Sequence, residues 1–141
     1  MFRRPQFIRA LCMIVVITVL LAHLRAQDET VRWTSLINLI ANPNVYDGKI
    51  VGTYGFLCLR EEQNILYLHD EDYRHLLLKN GLTLRAQPEQ IRAMGDKNYQ
   101  YVRIVGTFDA HGPGSHATSG VLGNIKRVEA IPIVQEIPQN R

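Results

Sequence analysis

The segment that follows residue 30 has its apolar residues at helical spacing. They fall at i, i+3, i+4 and i+7 and therefore share one stripe of a helix. Thr30 is a suitable N-cap, and Asn42-Pro43 ends the helix because the residue before a proline avoids the α region. The pattern predicts an amphipathic helix over 31–41 that packs on the rest of the domain through a buried stripe. That stripe consists of Trp33, Leu36, Ile37 and Ile40.

Five later segments have the β-branched and aromatic residues that are typical of strands. Two of them are long and contain internal glycines, which inside a strand usually mark a bulge or a sharp bend. The first contains Ile-Val-Gly-Thr-Tyr at 50–54, and the fourth contains Ile-Val-Gly-Thr-Phe at 104–108. The different surroundings of these two runs argue against a repeat protein. The predicted strands are 49–60, 65–69, 82–86, 99–110 and 121–133.

Short helices and loops separate the strands. Residues 70–79 have apolar residues at helical spacing and end at Asn80-Gly81, and the segment 88–94 begins with a proline, which suits a first helical turn. Residues 61–64 predict a hairpin loop, and the Gly-, Ser- and His-rich segment 111–120 predicts a mobile loop. Two bent strands, with a small helix before the fourth strand, favour a mainly β fold with small helices. We therefore predict a five-stranded OB-fold-like β-barrel.

A resemblance supports this fold. Its motif is a turn, a glycine-bent strand and a hairpin, and it resembles the start of a small OB-fold domain. The chain is similar over 31–129 to uncharacterised exported bacterial proteins with an OB-fold-like domain. This resemblance carries no catalytic residue across, and it implies a binding module whose ligand is unstated. The residues that carry it are Asn42-Pro43, Tyr46-Asp47-Gly48-Lys49, Gly55-Phe56-Leu57, Leu66-Tyr67-Leu68 and Asp72-Tyr73.

The beginning of the chain is typical of a secretory signal peptide. Residues 1–9 carry three arginines and no acid, and an uninterrupted apolar stretch follows from Ala10 to Ala22. A helix of that length reaches about 20 Å, short of the roughly 30 Å hydrocarbon core of a bilayer. We predict cleavage after Ala26 and export of a chain that begins at Gln27, to the periplasm or the extracellular space. An uncleaved membrane anchor is the alternative.

The leader carries the excess positive charge. The full chain has 16 basic and 13 acidic residues, and four of the arginines lie within residues 1–26. The remainder has 12 basic and 13 acidic residues, a net charge of −1. It therefore lacks the basic stripe that attracts the phosphates of a nucleic acid. We expect an OB-fold-like domain over 27–134 and a loose C-terminal tail over 135–141.

Several side chains that can ligate a metal follow the second predicted strand. His69-Asp70-Glu71-Asp72 precedes His75, and His111 and His116 flank the 111–120 loop. Imidazole and carboxylate groups together can hold zinc or another divalent ion. However, no HxxxH, HExxH or CxxC spacing occurs, and acids in a first helical turn favour the helix dipole. We interpret residues 70–72 as a charged helix start and predict no metal site and no cofactor.

The sequence carries no enzyme signature. Ser115, Thr118 and Ser119 lie near two histidines, but the GxSxG elbow of a nucleophilic serine is absent. Residues 112–114 lack the following Lys-Ser/Thr of a phosphate loop. Cys58 is the only cysteine after the leader, so no intramolecular disulfide can form. Its apolar surroundings predict a buried, inert thiol.

These observations favour a non-enzymatic, extracytoplasmic binding module that binds a protein or an envelope polymer with its outer barrel face and the adjoining loops. The alternative is a single-stranded nucleic-acid binder, in which tyrosines such as Tyr99 would stack on bases. Export and the net charge of −1 disfavour that alternative, and contact with a membrane is expected only through an uncleaved leader. The candidate ligand-binding residues, with the tyrosines expected to be exposed, are Tyr54, Tyr67, Tyr101, Arg85 and Arg103.

Overall fold

The structure is a computed structural model that describes residues 30–133, and five of its six strands close into a barrel. The predicted leader and the 135–141 tail lie outside the described residues. No helix within 30–133 has the length and apolar character that crossing a membrane requires. The strands are β1 (Arg32–Trp33), β2 (Ile50–Leu59), β3 (Asn64–Tyr67), β4 (Gly81–Leu84), β5 (Tyr101–Asp109) and β6 (Val121–Ala130).

The barrel has the strand order β2-β3-β4-β6-β5, and β5 pairs back with β2. The pairing of β4 with β6 is parallel, and the other four barrel pairings are antiparallel. This closed, mixed, five-stranded barrel is mainly β and OB-fold-like, as the sequence predicts. All five predicted strands are present, with ends that differ by at most three residues.

The predicted N-terminal helix is shorter than expected, and the predicted buried stripe is wrong in part. β1 pairs in parallel with β2, so Trp33 is in a strand. Ser35 caps the helix α1 (Leu36–Ala41) by accepting a hydrogen bond from Asn38 N. Because the helix begins at Leu36, its buried side chains are Leu36 and Leu39. Trp33 and Ile37 are instead 44% and 56% exposed, and Ile40 is partly buried against the core.

Short helical segments connect the strands. The second helix, α2 (Pro43–Tyr46), follows α1 directly. The predicted helix over 70–79 is confirmed only for α3 (Asp70–Arg74), because Leu76 adopts a left-handed φ of 53° and a 3₁₀ turn follows at Leu78–Asn80. The last helix, α4 (Pro88–Ala93), lies between β4 and β5, where the sequence predicts it.

Two hydrophobic clusters lie on the two sides of the barrel wall. Leucine, valine, isoleucine and phenylalanine side chains fill the interior, and Leu57, Leu66 and Phe108 there are fully buried. A smaller cluster lies on the outer side and consists of Phe56, Cys58, Ile65 and Tyr67.

Cys58 is buried in the outer cluster, as predicted. Burial raises the pKa of its thiol, against an opposing effect of the nearby Arg60. The reactive thiolate is therefore disfavoured at neutral pH.

The two glycines of the repeated Ile-Val-Gly-Thr run serve different contacts. A Cβ at Gly52 would lie 2.6 Å from the Cε3 atom of the Trp33 ring. A Cβ at Gly106 would lie 2.7 Å from the carbonyl oxygen of Gly123. The second contact arises at a register shift between β5 and β6, near Val105 and Thr107. Gly106 thus marks a bulge, as the sequence indicates, whereas Gly52 makes room for a ring.

Candidate ligand-binding face

The chain covers the surface that an OB fold most often uses for ligands. That surface is the outer side of the second and third barrel strands with the adjoining loops, and here those strands are β3 and β4. The outward residues Ile65 and Tyr67 of β3 lie beneath Tyr73 and Leu78. The segment between β3 and β4 thus folds back over its own strand and closes this half of the surface.

The loop at 111–120 closes the other half. Thr118 is completely buried, and its hydroxyl lies 2.9 Å from the hydroxyl of Thr83 on β4. Lys79 Nζ donates hydrogen bonds of 2.9 Å to the carbonyl oxygens of His116 and Thr118. Ser119 Oγ donates in return to the carbonyl oxygen of Lys79. Side-chain hydrogen bonds therefore anchor this loop, which the sequence alone describes only as mobile.

The outer side of β2 and β5 carries exposed aromatic rings. They belong to Trp33, Tyr54, Tyr99 and Tyr101, which are 44%, 45%, 47% and 39% exposed. We call these four rings the aromatic face. The ring centres of Trp33 and Tyr54 are 5.6 Å apart, and Tyr101 contacts the buried Phe56 at 5.4 Å. The rings thus form a row that packed aromatic residues support from below.

The strand register explains this row. Phe56 pairs with Tyr101 across β2 and β5, and Tyr54 pairs with Arg103. Because side chains alternate between the two faces of a strand, positions two apart share the outer side. Trp33 joins the row because β1 pairs with β2 at Gly52, where the absent side chain leaves space for the indole.

Further contacts fix the rings at the other end of the row. Tyr99 has a left-handed φ of 60°, and its ring lies 5.5 Å from that of Tyr73. A hydrogen bond with the Tyr99 side chain raises the pKa of Tyr73. The hydroxyl of Tyr101 accepts a 3.2 Å hydrogen bond from the backbone N–H of Asp70. The aromatic face is therefore largely formed before any ligand arrives.

The charges beside the aromatic face partly neutralise one another. The guanidinium carbon of Arg103 lies 5.9 Å from the centre of the Tyr54 ring, a cation–π distance. Glu129 on β6 is 3.6 Å from Arg103 Nη1 and 3.7 Å from Arg127 Nε. The single carboxylate of Glu129 thus lies close to two arginines, so Arg103 and Arg127 together keep a modest net positive charge beside the aromatic face.

The predicted site residues separate into three places. Tyr54, Tyr101 and Arg103 lie together on the outer side of β2 and β5. Tyr67 is only 3% exposed, so the expectation that it is an exposed ring is wrong. Tyr67 does point to the outer side, but the segment after β3 returns over it, and burial raises the pKa of its hydroxyl. Arg85 follows β4 and lines a separate groove.

Sequence reasoning assigned Trp33 to the core and so missed its place in the aromatic face. The available signal was Gly52 within an otherwise bulky strand, since a glycine there indicates the close approach of another group. Nothing in the sequence, however, identifies that group as Trp33.

The acidic run after β3 has a structural role. Asp72 Oδ2 accepts a 2.9 Å hydrogen bond from His69 N, and Asp72 Oδ1 accepts one of 2.7 Å from Asn80 Nδ2. The run is thus the charged helix start that the sequence indicates. Within residues 30–133, no three His, Cys, Asp or Glu side chains are grouped as a metal site requires.

Comparison with protein-family models and with curated proteins found no match for this chain.

Proposed function

We propose that the chain is a non-enzymatic, extracytoplasmic binding module that recognises a protein or an envelope polymer through its aromatic face. The observation that carries this proposal is the row of four exposed rings along β1, β2 and the start of β5. Tyrosine and tryptophan combine a large apolar area with a polar group and lose little conformational entropy on binding. Exposed, packed rings of this kind are typical of a binding surface.

The length of the row suits an extended ligand. Phe56, beneath Tyr101, is four positions along β2 from Gly52, beneath Trp33. At the usual rise of a strand this distance is about 13 Å. A ligand that contacts both ends must therefore span several monomers of a polymer or several residues of a peptide.

The charge pattern favours a protein or a weakly charged polymer over a nucleic acid. A single-strand binder requires a positive groove that follows the phosphates. Here Glu129 lies within 4 Å of both Arg103 and Arg127, beside the rings. The proposed export of the chain favours an extracytoplasmic partner for the same surface.

The test compares variants of the face with a matched apolar variant elsewhere. The immobilised full chain is incubated with envelope extract that has been separated into protein and polysaccharide fractions. We expect the double variant Trp33→Ala/Tyr54→Ala to lose saturable capture from one fraction. The control Ile37→Ala removes a side chain that is 56% exposed on α1 and should capture as well as the wild type.

A parallel titration with a single-stranded oligonucleotide tests the alternative function. A phosphate binder loses affinity by orders of magnitude between about 50 mM and 200 mM salt. Micromolar, salt-sensitive oligonucleotide binding that Trp33→Ala/Tyr54→Ala abolishes would replace the proposal with nucleic-acid binding. Capture that is equal in the wild type and the double variant would exclude the aromatic face as the binding surface.

A further inference from the structure

A concave groove lies apart from the aromatic face, between α4 and the strands β5 and β6. Its volume is about 480 Å³, within the roughly 300–1,000 Å³ of small-molecule sites. Val121 and Ile125 contribute buried apolar side chains to the lining. Arg85, Gln90 and Asp109 contribute polar ones.

A bulge in β6 produces this groove. Val105 pairs with Arg127 and Thr107 pairs with Gly123, so β6 uses two more residues than β5 over the same interval. Asn124 takes a left-handed φ of 46° there and lines the groove. A hydrogen bond holds α4 to β6 next to the bulge, because Gln90 Nε2 donates over 3.1 Å to the carbonyl oxygen of Ile125.

Two of the residues that line the groove carry opposite charges, and their charged ends lie close to each other without forming an ion pair. Asp109 Oδ2 and Arg85 Nη2 lie 2.5 Å and 3.1 Å from the point where a Gly112 Cβ would be. Nevertheless, neither side chain forms an ion pair with any residue in the described part of the chain. Arg85 donates one long hydrogen bond, of 3.4 Å, to the carbonyl oxygen of Pro113.

The acidic side chain also keeps an oxygen available. Asp109 Oδ1 accepts a 3.0 Å hydrogen bond from His111 N. No other hydrogen bond to the Asp109 carboxylate occurs within residues 30–133, so Oδ2 accepts none there. The groove therefore offers both a guanidinium and a carboxylate oxygen to a ligand.

We propose that this groove binds a small zwitterion of the amino-acid or short-peptide class. The ligand carboxylate pairs with the Arg85 guanidinium, whose planar donors match a carboxylate. The ligand ammonium pairs with Asp109 Oδ2. The apolar part of the ligand then lies against Val121 and Ile125. A purely anionic ligand would meet the Asp109 carboxylate, and a purely cationic one would meet Arg85. The site therefore selects molecules that carry both charges.

Probes of similar size that differ in charge test this selection. The backbone amide signals of the full chain are followed by NMR during titration with L-alanine, L-glutamine, L-alanyl-L-alanine, propionate and ethylammonium. We expect at least one zwitterion to cause saturable shifts at Thr107, Gly112 and Gly123. Propionate and ethylammonium, which each lack one charge, should bind at least about tenfold more weakly.

Variants then assign the two charges. Arg85→Gln and Asp109→Asn should each weaken zwitterion binding at least about tenfold, and Asp109→Asn keeps an oxygen for His111 N. Arg103→Gln removes an arginine that lies beside the aromatic face, away from the groove, and should leave zwitterion binding unchanged. The melting temperature of each variant verifies that it is folded.

Three results would overturn the proposal: no saturable shift with any of the zwitterions, equal affinity for the singly charged probes, or affinity unchanged in both Arg85→Gln and Asp109→Asn. The Trp33→Ala/Tyr54→Ala variant should bind the zwitterion normally, so this proposal can fail independently of the proposed function.

Discussion

Alanine substitutions at Gly52 and Gly106 should have different consequences, although both glycines lie in nearly identical sequence runs. At Gly106 the new Cβ would be 2.7 Å from a backbone oxygen and 3.1 Å from both Ile125 Cδ1 and Leu122 Cγ. A backbone atom cannot rotate away, so the cost lies at the upper end of overpacking, about 3 kcal/mol. The lower entropy of the unfolded alanine chain offsets about 0.4–1 kcal/mol. We expect a net loss of about 2 kcal/mol in the free energy of unfolding.

At Gly52 the new Cβ would contact the Trp33 ring, which is half-exposed and able to move outward. Displacing the ring from Tyr54 costs about 0.5–1.5 kcal/mol, and the entropic gain of alanine is of similar size. The free energy of unfolding of Gly52→Ala should therefore stay within about 1 kcal/mol of the wild type.

The assay uses the single tryptophan of the chain. In Gly52→Ala the emission of Trp33 should shift to the red as the ring moves into water, and capture through the aromatic face should weaken. In Gly106→Ala the emission of the folded state should be unchanged, while the melting temperature falls by about 8 °C or more. Equal destabilisation of the two variants, or unchanged Trp33 emission in Gly52→Ala, would refute this account of the two glycines.

Three further predictions concern stability. Leu39→Ala should cost about 2–5 kcal/mol, because Leu39 is fully buried, whereas the half-exposed Ile37 should tolerate alanine within about 0.5 kcal/mol in urea unfolding; equal costs would contradict the observed phase of α1. Burial raises the pKa values of Cys58 and Tyr67 in the folded protein, so the folded state favours their neutral forms. The contribution of these two groups to the free energy of unfolding is therefore complete at a pH below their pKa values in the unfolded chain, and it is lost as the pH rises through their pKa values in the folded protein. Chemical denaturation should thus show falling stability above about pH 9, and the fall should be smaller in Cys58→Ala; an identical pH profile in that variant would contradict a contribution from the thiol. Thr118→Val should cost about 0.5–1.5 kcal/mol, since it removes the hydrogen bonds of the buried Thr118 hydroxyl with Thr83 and Gly120, and unchanged thermal stability would show that these hydrogen bonds do not secure the loop.

The strands could be predicted from the sequence because their signal is local. The alternation and β-branching of 50–59 and 101–109 are visible without the fold, and so is the need for a glycine at 106. The burial of α1 could not be read this way. A helix that began at residue 31 would place Ile37 in its buried stripe, whereas the helix that begins at Leu36 buries Leu39 instead. The later start is set by the pairing of β1 with β2, which the sequence does not reveal.

The composition of the aromatic face was predictable only in part, because exposure depends on segments distant in sequence. Tyr54 and Tyr67 are both outward-facing tyrosines on strands. Tyr54 stays exposed although the Trp33 ring, at 5.6 Å, and the Arg103 guanidinium, at 5.9 Å, approach its ring. Tyr67 is covered because α3 brings Tyr73 to 5.9 Å from it. No local feature of the sequence distinguishes Tyr54 from Tyr67 in a way that would predict which ring is exposed and which is buried.

Strand β5 contributes to both proposed sites, on either side of Gly106. Before this glycine, Tyr101 and Arg103 face outward from a regular part of the sheet, at and beside the aromatic face. After it, Thr107 and Asp109 line the groove that the bulge in β6 opens. A side chain at 106 would collide with the bulged strand. Glycine at position 106 therefore permits β5 to contribute both to the aromatic face, which suits a polymer, and to the concave groove, which suits a small molecule.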